Sequence, residues 1–168
     1  MLPRVLKNFN LFNDGESFVG QVAEVELPKL SRKMEEWRGG GMSGQVSLDM
    51  GIEKLEMGLT CGGFMRKLFS QFGIAKADGI LLRFAGAYQR DDTGEVDAVE
   101  VVGRGRIQEL EPGNAKTGDK SEMKAKYLLT YYKLTINGQD LIEIDLINMI
   151  EMVDGVDRLA EQRQAIGF

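Results

Sequence analysis

Apolar and polar residues alternate with a period of two along most of this chain. Between Ser17 and Leu27, Val19, Ala23, Val25 and Leu27 oppose Gly20, Glu24 and Glu26, which predicts a strand with one apolar face. Val46, Leu48 and Met50 oppose Gln45, Ser47 and Asp49, and after Gly51 the alternation resumes with Ile52, Leu55, Met57 and Leu59 against Lys54, Glu56 and Thr60. Two alternating strands around one glycine predict an extended hairpin over residues 42–60. Ile80, Leu82, Phe84 and Tyr88 form the next apolar face. Val96 to Leu110 reads as a long strand bent near Gly103 and Gly105, followed by a loop over Glu111 to Lys120 with Pro112-Gly113 and Gly118-Asp119 as turn signals. Lys120 to Ile136 is a second long strand, and Asn137-Gly138 predicts a type I′ turn into a partner running from Gln139 to about Ile147. Asn13-Asp14-Gly15 predicts the first hairpin corner, and residues 1–9, without a period, read as an N-terminal arm.

The period changes twice. Gly62-Gly63 precedes Phe64, Leu68 and Phe72 at helical spacing, with Met65 and Phe69 beside them and Arg66, Lys67 and Gln71 opposite. This predicts an amphipathic helix over about 64–72, ended by Gly73, with its aromatic stripe sealing a sheet. Val156 to Ile166 predicts a short C-terminal helix with Val156, Leu159, Ala160 and Ile166 inward. The predicted fold is mainly β, about eight strands in a barrel or sandwich of two packed antiparallel sheets flanked by these helices. One domain spanning residues 1–168 is expected for this length.

Leu27 to Met42, LPKLSRKMEEWRGGGM, breaks the pattern of half-buried strands. Pro28 belongs at a strand start or kink, and from Leu30 to Trp37 charges fall on both faces. A strand with charges on both faces and one large aromatic suits a contact surface. Gly39, Gly40 and Gly41 open positive-φ space or close approach, and Met42 is an adaptable contact group.

Catalytic chemistry is hard to build. The chain has no histidine, hence no imidazole base or imidazole metal ligand. The one cysteine, Cys61, lies in an apolar strand and reads as an inert buried thiol; alone, it cannot form an intramolecular disulfide. Asp91-Asp92 and Glu35-Glu36 are sequence neighbours that face opposite ways in a strand or belong to a turn. RGGG is not followed by Lys-Ser/Thr or a helical pattern, as a phosphate loop requires. A net charge of −5 and a pI near 4.9 argue against a protein that neutralises phosphates, and no apolar run is long enough to span a membrane as a helix. Catalytic, metal and cofactor sites are therefore expected to be absent. Polar-faced strands with open edges instead fit either a ring of identical subunits around a channel or a monomer whose edges are blunted by charge.

The pattern LPKL, Lys33, Glu35 and Glu36, and RGGGM at Arg38 to Met42 resembles the major tail tube proteins of contractile-tailed phages, a family that includes the tubes of R-type pyocins. NLFNDG at Asn10 to Gly15, Val46 to Gly51, EPG at Glu111 to Gly113, YYKL at Tyr131 to Leu134 and the ending GVDRLAEQRQAIGF extend the resemblance over nearly the whole chain. It implies the tail-tube fold and homo-hexameric rings stacked into a tube that conducts DNA as passing cargo, without a cofactor. Implied partners are the tail sheath protein, baseplate and tail terminator proteins and a tape measure protein, in a virion assembled in the host cytoplasm. Trp37, Arg38, Gly39, Gly40, Gly41, Met42 and Gly51 are expected at subunit contacts, and Gln45, Ser47, Asp49, Lys54, Glu56 and Thr60 along the lumen. The tube of a phage-derived bacteriocin or of a type VI secretion machine is the alternative.

Overall fold

A computed structural model describes Met1–Phe168 as twelve strands and two short helices. The strands are β1 (Arg4–Asn13), β2 (Glu16–Ser17), β3 (Val22–Glu26), β4 (Arg32–Trp37), β5 (Val46–Ile52), β6 (Leu55–Gly62), β7 (Ile80–Arg90), β8 (Val96–Glu111), β9 (Glu122–Ile136), β10 (Gln139–Asp145), β11 (Ile150–Val153) and β12 (Val156–Asp157); the helices are α1 (Arg66–Gln71) and α2 (Ala160–Ile166). The mainly-β fold with two antiparallel sheets and flanking helices is as expected, but the sheets are unequal. Ten strands form one sheet in the order β12-β11-β10-β9-β8-β7-β1-β2, with β6 and β3 joined at β9, while β4 and β5 form the other alone.

The large sheet forks at β9. Residues 122–129 of β9 pair with β6, and residues 131–136 pair with β10. Between the branches, the Leu146 N–H donates to the Thr130 carbonyl at 2.9 Å. β8 runs along both halves of β9 and accommodates the fork through register shifts after Arg104 and Ile107. Gly105 sits at the first shift. A Cβ there would lie 2.0 Å from the Leu128 carbonyl oxygen, so no larger residue fits. The bend expected near Gly103 and Gly105 thus has a steric cause.

Alternation delivers one core. Leu55, Met57, Leu59 and Cys61 from β6, Ile80, Leu82 and Phe84 from β7, and Met123, Ala125, Tyr127 and Leu129 from β9 share a buried cluster with Leu11 and Phe18. Burial pushes the Cys61 thiol up to about 11, which keeps it protonated and unreactive at neutral pH.

Several local expectations are corrected. Residues 4–9 are no arm, because β1 pairs along its length with β7. The 42–60 hairpin does not exist: β5 pairs with β4, whereas β6 pairs with β3 and β9. Gly51, at φ 106°, is the bulge residue that lets Arg32 face Ile52 while Met34 faces Asp49. Phe18, not Val19, enters the core, since a turn at Val19-Gly20 interrupts the expected strand.

Helix α1 is also rotated from expectation. Leu68, Met65 and Gln71 are inward, whereas Phe64, Phe69 and Phe72 are 74%, 40% and 58% exposed. The cause is a buried amide pair. Asn13 Nδ2 donates to Gln71 Oε1 at 2.9 Å, and Gln71 Nε2 donates back to Asn13 Oδ1 at 2.6 Å and to Asp14 Oδ2 at 2.9 Å. Satisfying these buried amides outweighs placing the aromatics inside. At the C-terminus, β11 and β12 form an unanticipated hairpin around Asp154-Gly155, and α2 buries none of its residues; Val156 and Ile166 are exposed.

Candidate assembly interface

Two surfaces carry the residues singled out from the sequence, and they lie on different sheets. The first is the β4–β5 hairpin. Directly paired residues share a face, so Trp37 lies with Val46 and Glu35 with Leu48. Trp37, Val46, Leu48 and Met50 are 57%, 47%, 45% and 53% exposed. This is an amphipathic ribbon whose apolar face nothing in the chain covers.

At its tip, RGGGM closes on itself. The Met42 N–H donates to the Gly39 carbonyl at 3.3 Å, the Gly39 N–H to Met42 Sδ at 3.1 Å, and Arg38 Nε to the Met42 carbonyl at 3.1 Å. Only Gly41 takes positive φ, 80°; Gly39 and Gly40 do not, which corrects the expectation for the triplet. Trp37 to Met42 are therefore brought together, while Gly51 lies at the opposite end of β5, beside the hairpin's base.

That base is fastened by charge. Arg32 donates to both Asp49 and Glu151, tying the hairpin to β11. The Gly51 N–H, donating to Asp49 Oδ1 at 2.9 Å, and then the Arg32 guanidinium hold the Asp49 carboxyl below the usual carboxylate range. Ser47 Oγ donates to Glu36 at 2.9 Å on the same side.

The second surface is the outer face of β3, β6, β9 and the end of β8, opposite the core. Glu56 and Thr60 lie here on β6, Ser47 and Asp49 lie on β5 of the other sheet, and Gln45 and Lys54 just precede β5 and β6, so the six residues expected on one wall do not share a sheet. Lys54 Nζ is 2.9 Å from one Glu56 carboxylate oxygen and Lys126 Nζ 3.2 Å from the other. Lys54 first, then Lys126, keep Glu56 below the ordinary range.

Sequence reasoning missed the rest of this face. A shallow groove over it is lined by Glu24, Glu26, Glu109, Glu111 and Glu122 as well as Glu56, with Lys124 and Lys126. The signal was available as charge alternating with apolar residues in Glu122-Met123-Lys124-Ala125-Lys126. Cross-strand pairing arranges the charges in rows. One row is Glu26, Gly58, Lys126 and Glu109; the next is Glu24, Thr60, Lys124 and Glu111. Gly58 leaves room for Glu26, whose carboxylate would lie 3.0 Å from a Cβ placed there.

Both sides of this four-stranded face end in unpaired backbone. β3 pairs only with β6, and β8 pairs with β7 only up to Gly105, so residues 106–111 have one free edge. Within the chain, no group of acidic or thiol side chains is arranged to hold a metal ion.

Such exposed ribbons and strand edges fit a subunit of an assembly, and the chain's similarities agree. The family model for phage tail tube protein FII matches residues 3–167. The tail tube protein of Escherichia phage P2 is 47% identical over 170 residues, covering 99% of each chain, and the major tail tube protein of Serratia phage KSP20 is 38% identical over 156 residues, covering 92% of this chain and 90% of that one. The fold is shared with the sheath/tube terminator of the extracellular contractile injection system PVC (TM-score 0.61, 11% identity, 80% of this chain and 98% of that one). It is shared too with the tube-terminating cap of the anti-feeding prophage (TM-score 0.59, 12% identity, 82% and 92%). The chain belongs to the family of phage tail tube proteins.

Proposed function

We propose that six copies close side by side into a ring, that rings stack into the inner tube of a contractile phage tail, and that the acidic face lines the channel through which DNA is ejected. The observation that carries this reading is the pair of free edges on one four-stranded face. β3–β6, β6–β9 and β9–β8 are all antiparallel, so β3 and the end of β8 run in opposite directions. Placed side by side, β3 of one copy and residues 106–111 of the next continue the antiparallel alternation, and closure removes both edges. The wall so formed repels duplex DNA, which carries about one negative charge per 1.7 Å of axis, and leaves water between them.

The hairpin serves the other direction of growth. Its uncovered apolar face, with Trp37 and the RGGGM turn at the tip, suits contact with a neighbouring ring. The sheath surrounds the tube, the tape measure protein occupies the lumen during assembly in the host cytoplasm, and baseplate and terminator proteins close the two ends. The role is structural and non-catalytic. A bacteriocin or secretion tube would use the same geometry, but relatives at 47% and 38% identity that are phage tail tube proteins favour the genome conduit.

Negative-stain electron microscopy of the concentrated protein tests this reading: six-fold rings or hollow rods are expected. Val25→Pro, which removes a backbone donor and stiffens the β3 edge, should leave a folded monomer that forms neither. Rings formed equally well by the proline variant would overturn the edge assignment.

A further inference from the structure

The rows on the acidic face have a consequence for the ring seam. In each row the lysine sits in the interior and a glutamate stands at both ends: Glu26 and Glu109 in one, Glu24 and Glu111 in the other. All four glutamates are exposed, and none pairs with a Lys or Arg of its own chain, since Lys126 is taken by Glu56. Resting on the ring reading above, we infer that ring closure sets like charge against like, so that the seam is a charge-restrained junction with a second copy of this chain. The register that extends the existing rows puts Glu26 of one copy opposite Glu109 of the next, and Glu24 opposite Glu111. A slip by two residues still leaves one such contact, because the glutamates occupy alternate positions of the same face on both strands.

Strand pairing and apolar contacts must then hold the ring together against this repulsion. The groups facing the four carboxylates are Glu122, Lys124 and Lys126 on β9 and Glu56 and Thr60 on β6. One lysine per row cannot neutralise two glutamates at every seam. Directly opposed like charges weaken strand pairs, and exposed charges are screened by salt over about 10 Å at 0.1 M. The seam is therefore weak in dilute salt and strengthens as ionic strength rises. Subunits are thereby kept apart until the local environment or a nucleating partner favours closure.

Sedimentation velocity over a concentration series, at low and at high sodium chloride, tests the inference. For the wild-type chain, the concentration giving half assembly should fall about tenfold from low to high salt, equivalent to about 1.4 kcal/mol. Glu109→Gln with Glu111→Gln should assemble at low salt as readily as the wild type does at high salt, and lose the dependence. Glu24→Lys with Glu26→Lys should invert it, assembling best at low salt, because each lysine then meets a glutamate across the seam. Circular dichroism and thermal melting confirm that the exposed substitutions leave the subunit folded. Rings whose salt dependence is the same in wild type and both variants would overturn the charge-restrained seam while leaving the ring reading intact. If no variant forms rings at any salt concentration, the ring reading falls, and this inference with it.

Discussion

Strands β5 and β6 are separated by two residues and show the same alternation, yet they end in opposite environments. Leu55, Met57, Leu59 and Cys61 of β6 are at most 2% exposed, whereas Val46, Leu48 and Met50 of β5 are 45–53% exposed. β6 is paired on both sides and its apolar face meets the core; β5 has β4 as its only strand partner, and only its last residue, Ile52, packs against the core. Alternation determines which residues share a face. Whether that face is covered depends on tertiary partners, and for most of the hairpin the chain itself supplies none.

Glycines give the sharpest test. Gly105→Val places side-chain atoms against the Leu128 backbone in the middle of β9 and should cost upwards of about 4 kcal/mol, read as a large fall in the urea midpoint or as failure to accumulate soluble protein. Gly40→Val in the hairpin turn meets nothing within 4 Å and needs no positive φ. Its unfolding midpoint should stay within about 0.5 kcal/mol of wild type, with any defect confined to assembly. Comparable losses from both would mean that the hairpin is part of the cooperative subunit.

Leucines of the two strands should differ in the same sense. Leu59→Ala removes a side chain that is 2% exposed and should destabilise the subunit by about 2–5 kcal/mol. Leu48→Ala, on the bare ribbon, should leave the melting curve unchanged while reducing tube length in electron micrographs. An equal drop in melting temperature would show that something within the chain already covers Leu48.

Much of this architecture was legible in the sequence, because it follows from local chemistry. The core face of β7 is the one its alternation names, and Asn137-Gly138 turns with φ 51° and 80°, as a type I′ hairpin requires. Gly73, at φ 86°, does follow α1. What was not legible is pairing over distance. Gly51 has the look of a turn, but the true connection of the hairpin is the loop around RGGGM, and Gly51 is a bulge inside a strand. Asp154-Gly155, with φ 48° and 79°, turns β11 into β12, a hairpin that the helical spacing over Val156 to Ile166 obscured. The acidic face was hidden because its glutamates come from four strands that only the fork of the sheet brings together.

Helix α1 extends the comparison to a single short element. Gln71→Ala leaves the buried Asn13 amide without its partner and should cost about 1–3 kcal/mol in chemical denaturation. Phe72→Ala, on the uncovered side, should cost less than about 0.5 kcal/mol, since little apolar area is recovered from water there. A reversed order would mean that the aromatic stripe, and not the amide pair, fixes the helix.

The smallest effect expected is in the pH dependence of the hairpin's base. Asp49 is held below the usual carboxylate range by the Gly51 N–H and by Arg32, which also reaches Glu151 on β11. A carboxyl whose pKa is lowered by folding stabilises the folded form above its unfolded value, about 3.9, and that contribution is lost as pH falls through the lowered value. The hairpin base should therefore loosen in acid before the core does. The Glu53 N–H, which donates to the Ser31 carbonyl at 2.8 Å just beyond the paired strands, is the reporter. Its hydrogen-exchange protection, corrected for intrinsic rates, should fall below about pH 4, while amides of β9 beside Tyr127 keep theirs. Asp49→Asn retains an acceptor for the Gly51 N–H but removes the charge. It should show the lower protection at neutral pH already and little further change on acidification. If protection at Glu53 and in β9 falls together in the wild type, the hairpin base and the core unfold as one unit, and the separation between covered and bare regions does not extend to their stability.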